Sequence, residues 1–538
     1  MNRLTVFTLA TSFLAPSPAL TAACLTGAVT CFVPRTPHGI YALVNVHAYL
    51  TQYETTNPSP TTAQIETYFN TTVYPGLLGN PDVSGITLYV DWSMLNPTGP
   101  NTYDWTLVQD LLEQAATAKK TVQLVVQPGI NSPTWLLGDP GGKNNGILKS
   151  CNYLFDPIYK LPPAGTECGK VTFSGFTEGG YSKDNGIVTV TAQDLPMPWN
   201  STYKNAWQTF LTALAAQVEG NPSLVSIAVA GPTAWSEEMS LPVTHNTHGI
   251  RQLGGYSPEQ MWAELLKNHY TKSAYTDYTK YLNTDVAFID EWEHAIDMYG
   301  KTFSGITLTL STGDHLPNLG TAPMIPTSPI DWASVCPSAD VDCAAETTIL
   351  SYFIQSTVGG PNAKAYQVDG MKGSGAIGNL GVPAVKMLSE ITDLYTSPSQ
   401  RILGGAQIVT PFATEKAAKG TMDVGDSLTG GCPPVTPLTP QCSAEQAEYN
   451  LLTWFFDGTS QGLSFPTGTA PMVGGVAVGG HSGTKPLNYL QIYGKDITYA
   501  TTDHFGAQPV QMGTATNKMS AQDLLDMASR ALALIGEH

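Results

Sequence analysis

The chain has 538 residues, of which 42% are hydrophobic and 13% charged, and its formal net charge is −18. The hydrophobic fraction is enough for a large core, while charged residues are about half as frequent as the ~25% of ordinary soluble domains, as is typical of exported proteins. An acidic chain without a Lys or Arg cluster argues against nucleic acid and anionic membrane surfaces as partners, and it favours a neutral partner.

Residues 1–23 have the pattern of a secretory signal peptide. Arg3 supplies the positive charge, residues 4–15 are apolar but too short to cross a bilayer, and residues 19–23 offer small side chains for cleavage. Lipidation of Cys24 is an alternative that Thr21 disfavours. No later stretch reaches the length of a membrane span, so we expect a secreted protein, extracellular or periplasmic, with a mature part of residues 24–538.

Eight short apolar runs alternate with amphipathic segments, which is the pattern of a parallel α/β architecture. In the segment 105–119, for example, Leu107, Leu111, Leu112 and Ala115 recur at helical spacing. The predicted strands are residues 39–46, 85–90, 121–126, 224–230, 305–310, 363–368, 401–409 and 487–493. The predicted helices are residues 63–69, 105–119, 203–219, 258–282, 286–303, 344–357, 383–395, 444–457 and 520–536.

Eight strands with intervening helices are what a closed (β/α)₈ TIM barrel requires. We therefore predict an α/β protein in which residues 24–538 form a single barrel domain with long loop insertions. The longest insertion, at about residues 138–195, is rich in Gly and Asn and reads as loop with short strands. The insertions follow strands, which places them over the carboxyl-end face of the barrel, where barrel enzymes have their active sites.

The eight cysteines fall into four pairs of close neighbours in sequence. In an exported chain disulfides are the default for such pairs, and a structural zinc site is the alternative, which the absence of any CxxC spacing disfavours. We predict local disulfides that join Cys24 to Cys31, Cys151 to Cys168, Cys336 to Cys343 and Cys432 to Cys442.

Two segments carry a resemblance to a known group of proteins. Residues 85–97 read Gly-Ile-Thr-Leu-Tyr-Val-Asp-Trp-Ser-Met-Leu-Asn-Pro and are followed by Tyr-Asp-Trp at 103–105, while residues 489–493 read Tyr-Leu-Gln-Ile-Tyr. These resemble the second and eighth strands of the clan of retaining glycoside hydrolases with a (β/α)₈ barrel, which includes enzymes like beta-galactosidases and cellulases. The resemblance covers nearly all of residues 39–535 and assigns no numbered family.

The resemblance implies an acid/base glutamate at the end of the fourth strand, where Glu237 and Glu238 stand. Glu238 is the first choice, since it follows an apolar strand and a Gly-Pro turn, with Trp235 nearby as an apolar wall. A solvated pair of loop glutamates is the ordinary alternative. At the seventh strand, where the resemblance implies the nucleophile, the sequence has Gln407, and an amide cannot act as a carboxylate nucleophile.

Glycoside cleavage ordinarily uses two carboxyl groups. Asp369, after the sixth strand, is our candidate for the second one. The choice stays open, because other carboxyl groups lie at or beyond strand ends and because a mechanism with a single protein carboxylate is also possible. Glu390 fits a surface position on a helix better than a catalytic position. These remaining strand-end candidates are Asp314, Glu415 and Asp496.

Several aromatic and polar side chains at strand ends or on insertions suit a sugar, by stacking on its ring or by hydrogen bonding its hydroxyls. Ordinary packing or structural roles are the alternative for each. These candidates for substrate binding are Trp92, Gln127, Trp135, Trp235, His315, Gln407 and Tyr493. No metal-ligand spacing and no nucleotide-binding motif occurs, so neither a metal nor a cofactor is expected.

The sequence thus supports a secreted glycosidase acting on a neutral oligo- or polysaccharide, with Glu238 as its general acid/base. Because Gln407 occupies the nucleophile position, a carbohydrate-binding protein without catalysis, or a structural surface protein, is the alternative on the same barrel.

Overall fold

The computed structural model divides the chain into two units, Met1–Val33 and Pro34–His538. The first unit, with the predicted signal peptide, lies outside the described residues. The residues described are 35–138, 146–150, 168–173, 193–233, 236–240, 284–311, 313–314, 341–356, 363–371, 402–408, 422–423, 441–442, 472–473, 476–477, 488–502, 508–512, 515–519, 522–523, 525–526 and 529.

Eight parallel strands close into a barrel. Each strand pairs with the next in the chain, and the last pairs with the first, for example with Gly39 opposite Tyr489. This confirms the predicted barrel and all eight predicted strands. The strands are β1 (Gly39–Asn45), β2 (Val83–Asp91), β3 (Thr121–Gln127), β4 (Leu224–Ala228), β5 (Thr307–Ser311), β6 (Lys364–Met371), β7 (Ile402–Ile408) and β8 (Tyr489–Tyr493).

Helices connect the strands. They are α1 (Val46–Glu54), α2 (Thr62–Tyr68), α3 (Tyr74–Leu78), α4 (Trp92–Leu95), α5 (Thr106–Ala118), α6 (Thr134–Leu137), α7 (Ser201–Val218), α8 (Thr284–Thr302), α9 (Val341–Gln355) and α10 (Gly494–Thr502). A π-helical turn, Phe69–Val73, joins α2 to α3, and a 3₁₀ turn, Gly129–Asn131, follows β3.

The predicted helices at 63–69, 105–119, 203–219, 286–303 and 344–357 correspond to α2, α5, α7, α8 and α9. The predictions at 258–282, 383–395 and 444–457 lie outside the described residues, and 520–536 is described at single positions only. Helix α10 and the hairpin of Gln508–Met512 with Ala515–Met519 were not predicted.

The sequence predicts short strands in the insertion at about 138–195, and the structure describes three there, which pair into one sheet. They are Lys149–Ser150, Cys168–Phe173 and Gln193–Pro196.

The strands are buried on both faces, which explains their nearly continuous apolar sequences. On β2, for example, Ile86, Leu88 and Val90 belong to the main core cluster, which also contains the apolar residues of the surrounding helices. The intervening Tyr89 belongs to a separate cluster that contains residues of β1, β3, β4 and β8. Residues of such a cluster meet inside the barrel, so alternate positions of each strand fill its interior.

The interior has an apolar layer near the amino ends of the strands and a second layer near their carboxyl ends. The first consists of Tyr41, Val225, Ala365, Leu403 and Tyr489, and the second of Leu43, Tyr89, Val125, Ala228 and Tyr493. Buried polar side chains lie between the layers, and the second layer supports the candidate site. No described helix is both long and apolar enough to cross a membrane.

Candidate active site at the carboxyl ends of the strands

The loop after β4 brings one carboxyl group against the barrel interior. Glu237 is fully buried, and its Oε1 lies 2.7 Å from the hydroxyl oxygen of Tyr89 on β2. The loop is shaped by its own polar side chains: Thr233 Oγ1 accepts a hydrogen bond from the Ser236 amide, and Ser236 Oγ accepts one from the Glu238 amide. Met239 then pairs in parallel with Gly313 beyond β5.

The two adjacent glutamates have different surroundings. Glu237 is fully buried in contact with Tyr89, whereas Glu238, the first choice from the sequence, is partly exposed. A catalytic role for either residue stays a prediction, but the geometry favours Glu237, since its carboxyl group lies at the barrel interior.

Below Glu237, the Tyr89 hydroxyl is also 2.6 Å from Gln407 Oε1 and 3.4 Å from Gln491 Oε1. Gln407 accepts a further hydrogen bond from Gln367 Nε2 at 3.3 Å. These side chains come from β2, β6, β7 and β8, so one hydrogen-bonded network crosses the barrel. Gln407 is therefore inside the barrel on β7, at the strand where the sequence resemblance implies a nucleophile.

The network continues toward the amino ends of the strands. Gln491 Nε2 donates to Gln367 Oε1 at 2.8 Å and to Gln123 Oε1 at 3.0 Å. Thr87 donates to Gln123 Oε1 at 2.6 Å, and the Tyr489 hydroxyl donates to Gln367 Oε1 at 3.0 Å. All four glutamines are buried, so their mutual hydrogen bonds replace those that water would make.

Burial raises the pKa of the Glu237 carboxyl to about 7, from an ordinary value of 4.5. The charged form is disfavoured because the carboxyl group has left water, although the hydrogen bonds that it shares with Tyr89 and with its own backbone act in the opposite direction. The second oxygen, Oε2, is buried and has no hydrogen-bond partner among the described residues. A carboxyl group that holds a proton near neutral pH and has one uncommitted oxygen is suited to general acid catalysis.

The aromatic candidates differ in exposure. Trp92 is fully buried and packs against Trp207 and Phe210, with ring centroids 4.7 and 5.5 Å away. It therefore has no ring face open to a sugar, and its contacts are those of a core residue. Trp135 is partly exposed, meets Trp92 edge-on at 6.4 Å, and donates from Nε1 to the Asn96 carbonyl at 2.9 Å.

Two polar candidates end their strands as the sequence predicts. Gln127 is the last residue of β3 and Tyr493 the last of β8, and both are buried. Asp496, an alternative second carboxyl group, lies buried in the first turn of α10. Their contact with a substrate stays a prediction.

Other predicted site residues fall outside the described part of the chain. Trp235 and His315 are not among the described residues, and neither are Glu390 and Glu415. Asp369 belongs to β6, two positions after Gln367, but its side chain is outside the description, as is that of Asp314. The predicted disulfides likewise involve side chains outside it. No cluster of three or more potential metal ligands occurs among the residues that are described.

Sequence reasoning missed six members of the network: Thr87, Tyr89, Gln123, Gln367, Tyr489 and Gln491. A signal for the glutamines was present, because each stands alone between apolar neighbours in a predicted strand, such as Leu490 and Ile492 around Gln491. A polar residue in a strand buried on both faces needs a partner inside the barrel.

No protein-family model matches the chain, and no curated protein matches it. Among solved structures, the crystal structure of the catalytic domain of beta-amylase from Paenibacillus polymyxa matches with a TM-score of 0.35 and 12% sequence identity. The match covers 71% of this chain and 90% of that chain. A similarity of this degree assigns neither a family nor an activity.

Proposed function

We propose that this chain is a secreted glycosidase that cleaves O-glycosidic bonds of a neutral oligo- or polysaccharide, with Glu237 as its general acid. The observation that carries the proposal is the buried Glu237 carboxyl, which has one oxygen against Tyr89 and the other without a partner among the described residues. It follows β4 at the carboxyl end of the barrel, the end at which barrel enzymes carry out catalysis.

The protonation of Glu237 fits this role. A general acid must hold a proton at the working pH and then release it to the leaving oxygen, so a pKa near that pH is favourable. Burial raises the pKa of Glu237 to about 7. The acidic net charge of −18 favours an uncharged glycan over an anionic one.

The second carboxyl group is proposed from sequence alone. Asp369 is the candidate, since it belongs to β6 near the carboxyl-end layer. Gln407 on β7 contributes an amide, which does not act as a nucleophile. The proposed export of the protein rests on the signal-peptide pattern of residues 1–23 and on the four predicted cysteine pairs.

A carbohydrate-binding protein without hydrolysis is the second candidate, and two observations favour it. The β7 position at which the resemblance implies a nucleophile is occupied by Gln407, which has no ionisable group. Its amide is hydrogen-bonded to Tyr89 and Gln367. Glu237 is fully enclosed, so a glycan reaches it only when surrounding residues move. Under this candidate, Glu237 is a buried structural acid and the substrate-binding residues hold a glycan that is never cleaved.

Hydrolysis of a panel of aryl glycosides and neutral polysaccharides tests the proposal. Glu237→Gln keeps the shape of the side chain but cannot donate an acidic proton, and we expect a loss of 10²-fold or more in kcat. Glu238→Gln, at the adjacent and partly exposed residue, is the matched control and should retain activity. The reverse pattern would assign the acid to Glu238, and glycan binding without hydrolysis by wild type would favour the second candidate.

A further inference from the structure

The hydroxyl oxygen of Tyr89 is in contact with two other oxygen atoms, and each of the two contacts requires a hydrogen atom between the oxygens. The hydroxyl oxygen is 2.7 Å from Glu237 Oε1 and 2.6 Å from Gln407 Oε1. Both are distances of O–H···O hydrogen bonds, each of which requires a hydrogen between the two oxygens. A tyrosine hydroxyl carries one hydrogen. One of the two contacts must therefore receive its hydrogen from the other residue.

Of the two partners, the carboxyl group alone can supply that hydrogen. An amide oxygen carries none, whereas a protonated carboxyl group carries one. With the oxygen of Gln407 facing Tyr89, the consistent arrangement has Tyr89 donating to Gln407 and a protonated Glu237 donating to Tyr89. This hydrogen inventory concerns the two contacts alone, so it holds whatever else Tyr89 contacts.

The orientations of the other glutamines are consistent with the oxygen atom of Gln407 facing Tyr89. Gln491 Nε2 donates to Gln367 Oε1 at 2.8 Å. Because the oxygen of Gln367 is thereby used as an acceptor, its Nε2 is left to donate to Gln407 Oε1 at 3.3 Å. Each amide thus orients the next, and the oxygen of Gln407 is directed to the end of the chain, at Tyr89.

We propose that Tyr89 and Gln407 are positioning residues that keep a proton on Glu237, because Gln407 takes the hydroxyl hydrogen that would otherwise stabilise the ionised carboxylate. The amide at the β7 position is then part of what keeps the acid neutral. The catalytic use of this proton rests on the proposed function, whereas its retention on Glu237 rests on this arrangement of the hydrogen-bond network.

The opposite arrangement turns all four glutamine amides over. Gln407 Nε2 then donates to Tyr89, Tyr89 donates to Glu237, and Glu237 is an ionised carboxylate. Hydrogen bonds to the charged form lower a carboxyl pKa, and those that require the neutral form raise it. The two arrangements therefore predict opposite effects on the pKa of Glu237 when the amide of Gln407 is removed.

Two titratable groups from other elements act on Glu237 among the described residues. One is Tyr89 on β2, and the other is Tyr299 on α8. Burial raises the pKa of the Tyr299 hydroxyl above its ordinary value. The ordinary pKa of a tyrosine hydroxyl, about 10, lies above the range in which Glu237 titrates, so the sign of the Gln407 effect does not depend on tyrosine ionisation. Glu238, on the same loop, is replaced in one control.

Infrared difference spectra between wild type and Glu237→Gln isolate the carbonyl stretch of the protonated carboxyl group, and the loss of this band with rising pH gives the pKa without any substrate. Gln407→Met removes the amide at similar volume. We expect the pKa of Glu237 to fall by about one pH unit, because the Tyr89 hydrogen is released to the carboxylate. A rise in the pKa, or no change, overturns the proposal.

A double-mutant cycle separates this coupling from a general disturbance of the barrel. In a Tyr89→Phe background, Gln407→Met should leave the pKa unchanged, since the hydroxyl that joins the two residues is missing. Thr87→Val, at the far end of the network, should shift it by much less than Gln407→Met, and Glu238→Gln should leave the band in place. An equal shift in the Phe background contradicts the proposal.

The wild-type spectrum is informative even if the Gln407 variant does not fold. A spectrum without a protonated Glu237 band below neutral pH overturns the proposal by itself. Failure of the chain to hydrolyse any glycan overturns the proposed function but leaves the band and its shift as expected, so the two failures are distinguishable.

Discussion

Replacing Glu237 by Gln should make the stability of this protein less dependent on pH. The carboxyl group is fully buried, and burial raises its pKa from 4.5 to about 7. Between these two pH values the folded chain keeps a proton that the unfolded chain has released. Stability from this group is thus fully present below pH 4.5 and is lost as the pH rises through about 7.

The magnitude follows from the size of the shift. One pH unit corresponds to ~1.4 kcal/mol, so the interval between 4.5 and about 7 corresponds to about 3 kcal/mol. Gln has nearly the same shape and no charge to bury. The relevant quantity is the free energy of unfolding of Glu237→Gln minus that of wild type. We expect this difference to be about 3 kcal/mol more positive above pH 7 than below pH 4.5.

Chemical denaturation followed by tryptophan fluorescence, repeated from below pH 4.5 to above pH 7, measures this difference. Glu238→Gln is the control, because it makes the same substitution at the adjacent residue, whose side chain is partly exposed. If wild type and Glu237→Gln show parallel pH profiles, Glu237 is not a buried acid with a raised pKa. That result would also remove the basis for assigning it as a general acid.

Three further predictions concern packing and covalent links. A Cβ at Gly405 on β7 would overlap the ring of Tyr489, so Gly405→Ala should lower the free energy of unfolding by ~1–3 kcal/mol, seen as a lower thermal midpoint, or prevent folding. Gly76→Ala, where the added Cβ meets open space, is the control. Lys170 pairs with Asp194 at 2.6 Å, both nearly buried, so Lys170→Met should cost ~3–5 kcal/mol in denaturant unfolding, and the double variant with Asp194→Leu should recover much of it. Peptide mapping without reduction should recover four cystines: Cys24–Cys31, Cys151–Cys168, Cys336–Cys343 and Cys432–Cys442.

The barrel was predictable because its strands leave a strong local signal. A strand covered by helices outside and by side chains inside is apolar on both faces, and β4, Leu-Val-Ser-Ile-Ala, is an example. Helix α5 is equally clear, with Leu107, Leu111 and Ala115 on its buried face. Helix α10 was missed because its Gly494 and threonines give weak helix propensity, and its contacts with the barrel outweigh that preference.

The candidate site was predictable to within a loop but not to a residue. The sequence places Glu237 and Glu238 together after β4, but which one turns toward the interior depends on the bend that Thr233 and Ser236 impose. The pairing of Tyr89 with Glu237 joins positions 148 residues apart, and no local pattern specifies it. Trp92 shows the converse difficulty, because a strand-end tryptophan suits both sugar stacking and core packing, and here it is fully buried.

The surroundings of Gln407 restrict where a second carboxyl group can come from. A glutamate at this position would share the Tyr89 hydroxyl with Glu237, since the two contacts are 2.6 and 2.7 Å long. Two carboxyl groups so close cannot both ionise, and they would titrate as a pair around one retained proton. Such a pair, with one carboxyl group neutral and the other ionised, is what retaining glycosidases use, but Gln407 contributes an amide in place of the ionised carboxylate. If the chain hydrolyses glycans, its second group belongs to another strand end, for which Asp369 is the sequence candidate.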